Sequence, residues 1–303
     1  MSPAPKNSIP RDLGLVLDEW GVRVADHREI DYATQYRLEH GAESVRLNVY
    51  TTGKVVAQGP SSGLKDLLDG RLAARKDAAG AGGARPGSRP ALDGTPRVGI
   101  DEAGKGDYFG PLVVAGVRIA GKEVAAELQN LGVRDSKTLG VGAARLMADR
   151  ILAAVGAQNV RVVALSPREY EERRSAAGNV NRLLDEVDAE IMGELGDGVE
   201  LIVVDQYATS AREHLEPFVP EGVRLEVRQR AEDDAAVAAA SVLARARQLE
   251  ELDRLSERLG FALPRGSSEV IEAGRRVARE AGEEGLKDVA KTSFGLTSRI
   301  LGR

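Results

Sequence analysis

The chain has 303 residues, enough for one large domain or two of unequal size, and its 42% hydrophobic and 29% charged content suits an ordinary core-forming protein. It has no cysteine, which excludes disulfides, thiolate metal sites and a catalytic thiol, and its three scattered histidines (His27, His40, His214) are too few for a histidine-type zinc site. A net charge of −5, divided as +2 over residues 1–90 and −7 over the remainder, excludes a coat of positive charge but not a local basic stripe facing a polyanion.

At the N-terminus, MSPAPKNSIPRDLG lacks the apolar core of a secretory signal. No apolar run anywhere approaches the ~18 residues of a membrane span, so a cytoplasmic location without membrane contact is expected. Residues 13–25 are apolar-rich and predict a short helix. Over 35–58 the alternation of Tyr36, Leu38, Val45, Leu47 and Val49 with polar neighbours predicts strands, with a hairpin turn at Thr52-Gly53-Lys54. Leu64, Leu67, Leu68 and Leu72 stand at helical spacing. Residues 77–96 are rich in Gly, Ala and Pro, with almost no large apolar side chain, and predict a flexible linker between a small domain (1–76) and a large one (97–303).

Past the linker, strands and helices alternate. Strands are expected at Val98–Asp101, Leu112–Ile119, Val160–Leu165, Leu201–Val204 and Val223–Val227. Helices are expected at 142–155, 179–195, Asp233–Leu259 (stopped by Gly260), 268–281 and 284–301. Such alternation predicts an α/β sheet covered by helices.

Adjacent acids are frequent in this chain, and most such pairs are simply solvated. Asp101-Glu102 differs in its setting. It ends the apolar strand Arg97-Val98-Gly99-Ile100 and opens the loop Ala103-Gly104-Lys105-Gly106-Asp107-Tyr108-Phe109-Gly110-Pro111. Asp205 likewise follows an apolar strand, although a carboxylate there can equally cap the next turn. A third acidic group, Glu232-Asp233-Asp234, opens the long helix, where acids also favour the helix dipole. Three acidic sites on separate elements suggest convergence, and carboxylates packed together repel unless a cation neutralises them. Mg²⁺-like ions take oxygen ligands and are shared between carboxylates and phosphates. A pair of such ions assists phosphodiester hydrolysis.

Gly99 to Lys105 formally fits a phosphate-binding P-loop. The next position should be Ser or Thr and is Gly106, and a strand rather than a helix is expected to follow, so nucleotide binding is rejected. A Gly-Lys-Gly turn still lets a polymer backbone approach closely.

These residues resemble a known family. DEAGKGDYFGP (101–111), RDSKTL (134–139), VVDQY (203–207), RAEDDAAVAAASVLAR (230–245) and LPRGSS (263–268) together are similar to bacterial ribonuclease HIII, of the ribonuclease HII/HIII family. The likeness spans roughly residues 97–301. It implies a ribonuclease H-like mixed sheet flanked by helices. It also implies Mg²⁺- or Mn²⁺-dependent endonucleolytic cleavage of the RNA strand of RNA–DNA hybrids, leaving 5′-phosphate and 3′-hydroxyl ends. By the same resemblance, Asp101, Glu102 and Asp205 bind metal, and the fourth catalytic acid is Glu232, with Asp233 as the alternative. Gly104, Lys105 and Gly106 would read the RNA strand through 2′-hydroxyl contacts, and Ser136 and Lys137 would lie near substrate phosphate.

The family's Val-Ala-Lys-x-His-Phe is Val289-Ala290-Lys291-Thr292-Ser293-Phe294 here, with serine in place of histidine. The small front domain resembles the family's TATA-binding-like extension, on Gln35-Tyr36-Arg37-Leu38 and Thr52-Gly53-Lys54-Val55-Val56. A monomer acting on an RNA–DNA hybrid is expected. The alternatives are a ribonuclease HII-like enzyme nicking at single ribonucleotides in duplex DNA, and a non-catalytic nucleic-acid-binding protein.

Overall fold

A computed structural model describes residues 8–41, 43–59, 64–65, 68–69, 71–72, 94–131, 141–265 and 269–303. The chain divides into a smaller compact unit (1–91 with 138–146) and a larger one (92–137 with 147–303). Most of the expected linker (residues 77–93 of 77–96) lies outside the described residues, as does Leu67.

In the smaller unit, helix α1 (Arg11–Glu19) precedes an antiparallel sheet of four strands in sequential order, β1 (Arg23–Ile30), β2 (Ala33–His40), β3 (Glu43–Tyr50) and β4 (Val55–Gln58). Leu13, Val16, Leu17 and Trp20 recur at one helical face and are buried together with Tyr36, Leu38, Val45, Leu47 and Val49 of the strands. The expected helix over 13–25 therefore stops early. Gly21 turns the chain at φ +65°, and the next residues enter β1. That strand escapes sequence reading because it lies at the sheet edge with no fully buried residue, so it has no apolar alternation to reveal it. The turn at Thr52–Lys54 forms as expected, with Gly53 at φ +79° and Tyr50 N–H donating to the Lys54 carbonyl at 2.9 Å. Across the sheet runs a chain of side-chain hydrogen bonds, Arg28 to Gln35 (3.0 Å), Gln35 to Asn48 (2.8 Å) and Asn48 to Gln58 (3.0 Å), one residue from each strand.

The larger unit is built on a five-stranded mixed sheet. Its strands are β5 (Arg97–Ala103), β6 (Leu112–Ile119), β7 (Val160–Leu165), β8 (Leu201–Asp205) and β9 (Arg224–Arg228), in the order β7-β6-β5-β8-β9. β6 is antiparallel to β5 and β7, whereas β5, β8 and β9 run parallel. The remaining helices of the chain are α2 (Lys122–Asn130), α3 (Val141–Val155, whose residues up to Leu146 belong to the smaller unit), α4 (Pro167–Ala177), α5 (Val180–Leu195), α6 (Ala211–Leu215), α7 (Ala235–Leu259), α8 (Val270–Lys287) and α9 (Leu296–Leu301). On one face Val98, Ile100, Leu112, Val114, Ile202 and Val204 meet Leu183, Leu184, Val187 and Ile191 of α5. On the other, α7 lies so close that a Cβ on Gly99 would stand 2.2 Å from the Val237 nitrogen. Only glycine permits that approach.

Two expected boundaries are corrected. α7 begins at Ala235 rather than Asp233. Residues 231–233 form a 3-10 turn, and Asp234 caps the helix by accepting from Ala236 N–H at 2.9 Å. Arg97 pairs with that same Asp234 at 2.7 Å, both side chains buried, and so ties the start of β5 to the helix N-terminus. The expected helix over 284–301 is interrupted: α8 runs on to Lys287, kinked at Gly282 (φ +71°), and residues 288–295 are not helical. There the backbone pairs with the glycine loop instead, through a bridge between Phe109 and Ala290. Helix α4 was not expected, although Ser166-Pro167-Arg168-Glu169 is a full capping box with proline at the first turn.

Candidate active site

Successive strand residues leave the backbone in opposite directions, so Asp101 and Glu102 set out differently, although at the strand end their carboxylates stay close enough to repel. Asp101 shares the face of Gly99, towards α7, where it is buried and hydrogen-bonded by Ser241 of that helix. Glu102 shares the face of Ile100, towards α5, and feels the charges of Asp188 and Lys105. Burial pushes the Asp101 carboxyl up to about 6, with repulsion from Asp205 and Glu232 adding to it and bonds from Ser241 and the Glu102 amide opposing. Burial and then the Asp101 charge push Glu102 to about 8, against the pull of Lys105.

Asp205 ends the parallel neighbour β8, where Ile100 stands opposite Val204. Its parity is that of Val203, which packs with Val237 of α7, so Asp205 stands beside Asp101 on the same face. Asp205 Oδ1 accepts from Ala231 N–H at 2.9 Å, which fixes the 3-10 turn holding the next acids. Those acids are separated by the turn. Glu232 acts electrostatically on Asp101, whereas Asp233, 72% exposed, pairs with Arg228 of β9 at 2.6 Å.

The loop after Glu102 is rigidly held at both ends. Gly104 has φ +85°, and a Cβ there would meet the Pro111 carbonyl at 2.3 Å. Gly106 has open space where a Cβ would stand. At the far end Gly110 N–H donates to the Val289 carbonyl at 2.9 Å, Lys291 N–H donates to the Tyr108 carbonyl at 2.8 Å, and the buried Lys291 ammonium donates to the Gly110 carbonyl at 2.8 Å. Lys105 turns onto Tyr207, its Nζ 3.1 Å from the Tyr207 carbonyl and 5.1 Å from the ring centroid. The chain then continues into the antiparallel β6, not a helix, in line with the rejected P-loop.

Several groups were not singled out from the sequence. Tyr207 O–H donates to Asp185 Oδ1 at 2.6 Å, and His214 Nδ1 lies 2.7 Å from Asp185 Oδ2. Asp188 is fully buried, and among the described residues its Oδ2 has no hydrogen-bond partner. Burial and the Glu102 charge hold its carboxyl well above the usual range. A signal existed: Asp188 falls with Leu184, Val187, Ile191 and Leu195 on the apolar stripe of a helical pattern. Ser241 and Gln248 give no such signal, being ordinary polar residues in an Ala-rich helix. Ser136 and Lys137 lie outside the described residues. Ser293, in the place of the family's histidine, donates its N–H to Glu171 Oε1 at 2.8 Å.

The family model for Ribonuclease HII matches residues 98–297. Among curated relatives, Ribonuclease HIII of Protochlamydia amoebophila is 35% identical over 282 residues, spanning 88% of this chain and 87% of the relative. Ribonuclease HIII of Chlamydia abortus is 34% identical, spanning 83% and 82%. Among solved structures, Bst-RNase HIII in complex with Mn²⁺ superposes with a TM-score of 0.61 at 27% identity, over 97% of each chain. The ribonuclease H2 from Pyrococcus horikoshii, at 21% identity and a TM-score of 0.59 over 69% of this chain and 98% of its own, shares the fold. Since the family model covers most of the larger unit and the similarity to ribonuclease HIII proteins extends through the smaller one, this chain belongs to the ribonuclease HII/HIII family, on its bacterial ribonuclease HIII branch.

Proposed function

We propose that this protein is an endoribonuclease that hydrolyses the RNA strand of RNA–DNA hybrids with Mg²⁺ or Mn²⁺, leaving 5′-phosphate and 3′-hydroxyl ends. The observation that carries this reading is that Asp101 and Asp205 stand side by side at two adjacent parallel strand ends, with Glu232 of the 3-10 turn close enough to repel Asp101, beside a glycine loop that a polymer backbone can approach. The likeness to Bst-RNase HIII with Mn²⁺ supports the metal class.

The donors fit a hard divalent ion. They are carboxylate oxygens, and burial plus mutual repulsion raises Asp101 and Glu102 in a way that added positive charge would reverse. Among the described residues no three His, Asp or Glu side chains are grouped closely enough to hold an ion unaided. Asp101, Glu102 and Asp205 would hold it, with Glu232 as the fourth acid rather than Asp233, whose carboxylate is engaged by Arg228. When bound, divalent ions supply Lewis-acid stabilisation of the charge that builds on the scissile phosphate.

Around the acids, the chain's own groups place the strand. The amides of Gly104 and Gly106 can approach the RNA backbone and its 2′-hydroxyls, the feature that tells RNA from DNA. Lys105 and Lys137 supply positive charge towards phosphate in this reading, and Ser136 a hydroxyl donor. We assign residues 1–76 to substrate gripping, joined through the 77–96 linker to the catalytic domain at 97–303. Deleting residues 1–90 is then expected to weaken hybrid binding and flatten its salt dependence. A monomer in the cytoplasm completes the proposal, and light scattering on the purified protein tests the oligomeric state. Among the described residues no helix is long and apolar enough to cross a membrane.

The experiment is cleavage of two labelled substrates, an RNA–DNA hybrid and a DNA duplex with one embedded ribonucleotide, each with Mg²⁺ and with Mn²⁺. Preference for the hybrid is expected. The match to the Ribonuclease HII model makes single-ribonucleotide nicking the specific rival, and preference for the second substrate would establish it. No cleavage of either leaves a nucleic-acid-binding protein.

A further inference from the structure

Helix α7 continues past the acids and underlies the glycine loop. Ser241 hydrogen-bonds Asp101, and two turns later Gln248 Nε2 donates to Asp107 Oδ2 at 3.0 Å. A Cβ on Gly104 would stand 3.2 Å from Gln248 Cγ. Arg245 falls between Ser241 and Gln248 at helical spacing, so it occupies the same face of the helix. Its Nη1 donates to Gln248 Oε1 at 3.0 Å, while its Nε has no hydrogen-bond partner among the described residues. The exposed Arg265 comes near enough for the two guanidinium charges to repel, with Asp107 as the opposing charge. Among the described residues neither arginine forms an ion pair. Two cations brought together beside bare amides are costly alone and are stabilised by an arriving anion.

We propose that Arg245 and Arg265 form a subsite for a backbone phosphodiester of the bound nucleic acid, next to Gly104-Lys105-Gly106 and apart from the acid cluster. This rests on the reading that the loop meets a nucleic-acid strand. The planar guanidinium fork matches phosphate oxygens better than a point charge does. A phosphate held there would set the register of the strand over Asp101, since Ser241 and Arg245 are one helical turn apart.

The test is binding, not cleavage: fluorescence anisotropy of a short labelled RNA–DNA hybrid, with EDTA present, across a range of salt concentrations. Arg265→Ala, at an exposed position, is expected to weaken binding roughly tenfold. It should also flatten the dependence of log Kd on log salt by about 1. Arg245→Gln should do the same, whereas Arg245→Lys should restore the slope without the full affinity. A wild-type slope in Arg265→Ala and in a folded Arg245→Gln overturns the subsite. So does weaker binding by Arg245→Gln at an unchanged slope, which would mean that Arg245 only packs the loop. Failure of the enzymatic reading looks different: the wild type would bind the hybrid with both slope changes intact and yet leave it uncut.

Discussion

The glycine loop is bracketed by two buried charges of opposite sign, and they are buried on different terms. Before the loop, Asp101 and Glu102 lose water and gain little in return: Asp101 has a hydroxyl and an amide, Glu102 its own amide and the pull of Lys105, and the neighbouring charges Asp205, Glu232 and Asp188 all repel. After the loop, the Lys291 ammonium is fully buried but hydrogen-bonded to the Gly110 carbonyl and within 5.7 Å and 5.9 Å of the Tyr170 and Phe294 ring centroids. In the proposed reading a cation would complete the first, open end. The second, closed end is also penalised by burial, which holds Lys291 down, but its ammonium has partners within the fold and ties backbone to backbone.

Substitution at the open end has the largest expected effect. Asp101→Asn is expected to lower hybrid cleavage by about 10³-fold or more, since it removes a charge that stabilises the transition state through the metal site. Without divalent ions the same variant should melt at a higher temperature than wild type, because a poorly compensated buried charge is gone. Wild-type cleavage by this variant would erase the distinction between the two ends.

At the closed end, burial holds Lys291 down at about 8, from an ordinary 10.5. Below about 8 the folded and unfolded chains are both protonated there, and the cost of the buried charge is constant. Between about 8 and 10.5 the unfolded chain binds the extra proton, so this residue's contribution to stability rises with pH, by about 3 kcal/mol in all. Denaturant unfolding of wild type and Lys291→Met at several pH values should show that rise in wild type alone. Parallel curves would mean that the ammonium is not buried as a charge.

The smallest effects sharpen the boundary of the open end. Glu232→Gln should lower cleavage by roughly 10- to 100-fold, the range for weakening a metal site through one supporting group. Asp233→Ala, which loses only an exposed pair with Arg228, should alter stability by less than about 1 kcal/mol and leave cleavage within about twofold of wild type. The reverse order of the two, in the same assay, would move the fourth acid to Asp233.

Much of this protein is legible along the chain. Strands β5 to β9 carry apolar runs, the loop carries glycines that only a tight turn requires, and the family motifs lie in contiguous stretches. The helix α4 capping box, Ser166-Pro167-Arg168-Glu169, is equally legible, although its polar residues carry no apolar pattern. Strand β1 was not legible: an exposed edge strand buries too little to leave a pattern.

By itself the sequence determined which residues end strands, where the chain must turn, and that Asp101-Glu102 stands before a Gly-Lys-Gly loop. Only the tertiary structure decided that Asp101 meets Ser241 of α7 while Glu102 lies within the field of Asp188 on α5. It alone separated Glu232 from Asp233, and brought Lys291 and Arg245 to the same loop from distant segments of the chain. The reason is physical. Local conformation follows from neighbours along the chain, whereas the charge a group feels depends on burial and on partners more than a hundred residues away, as Arg97 with Asp234 and Lys291 with Gly110 show.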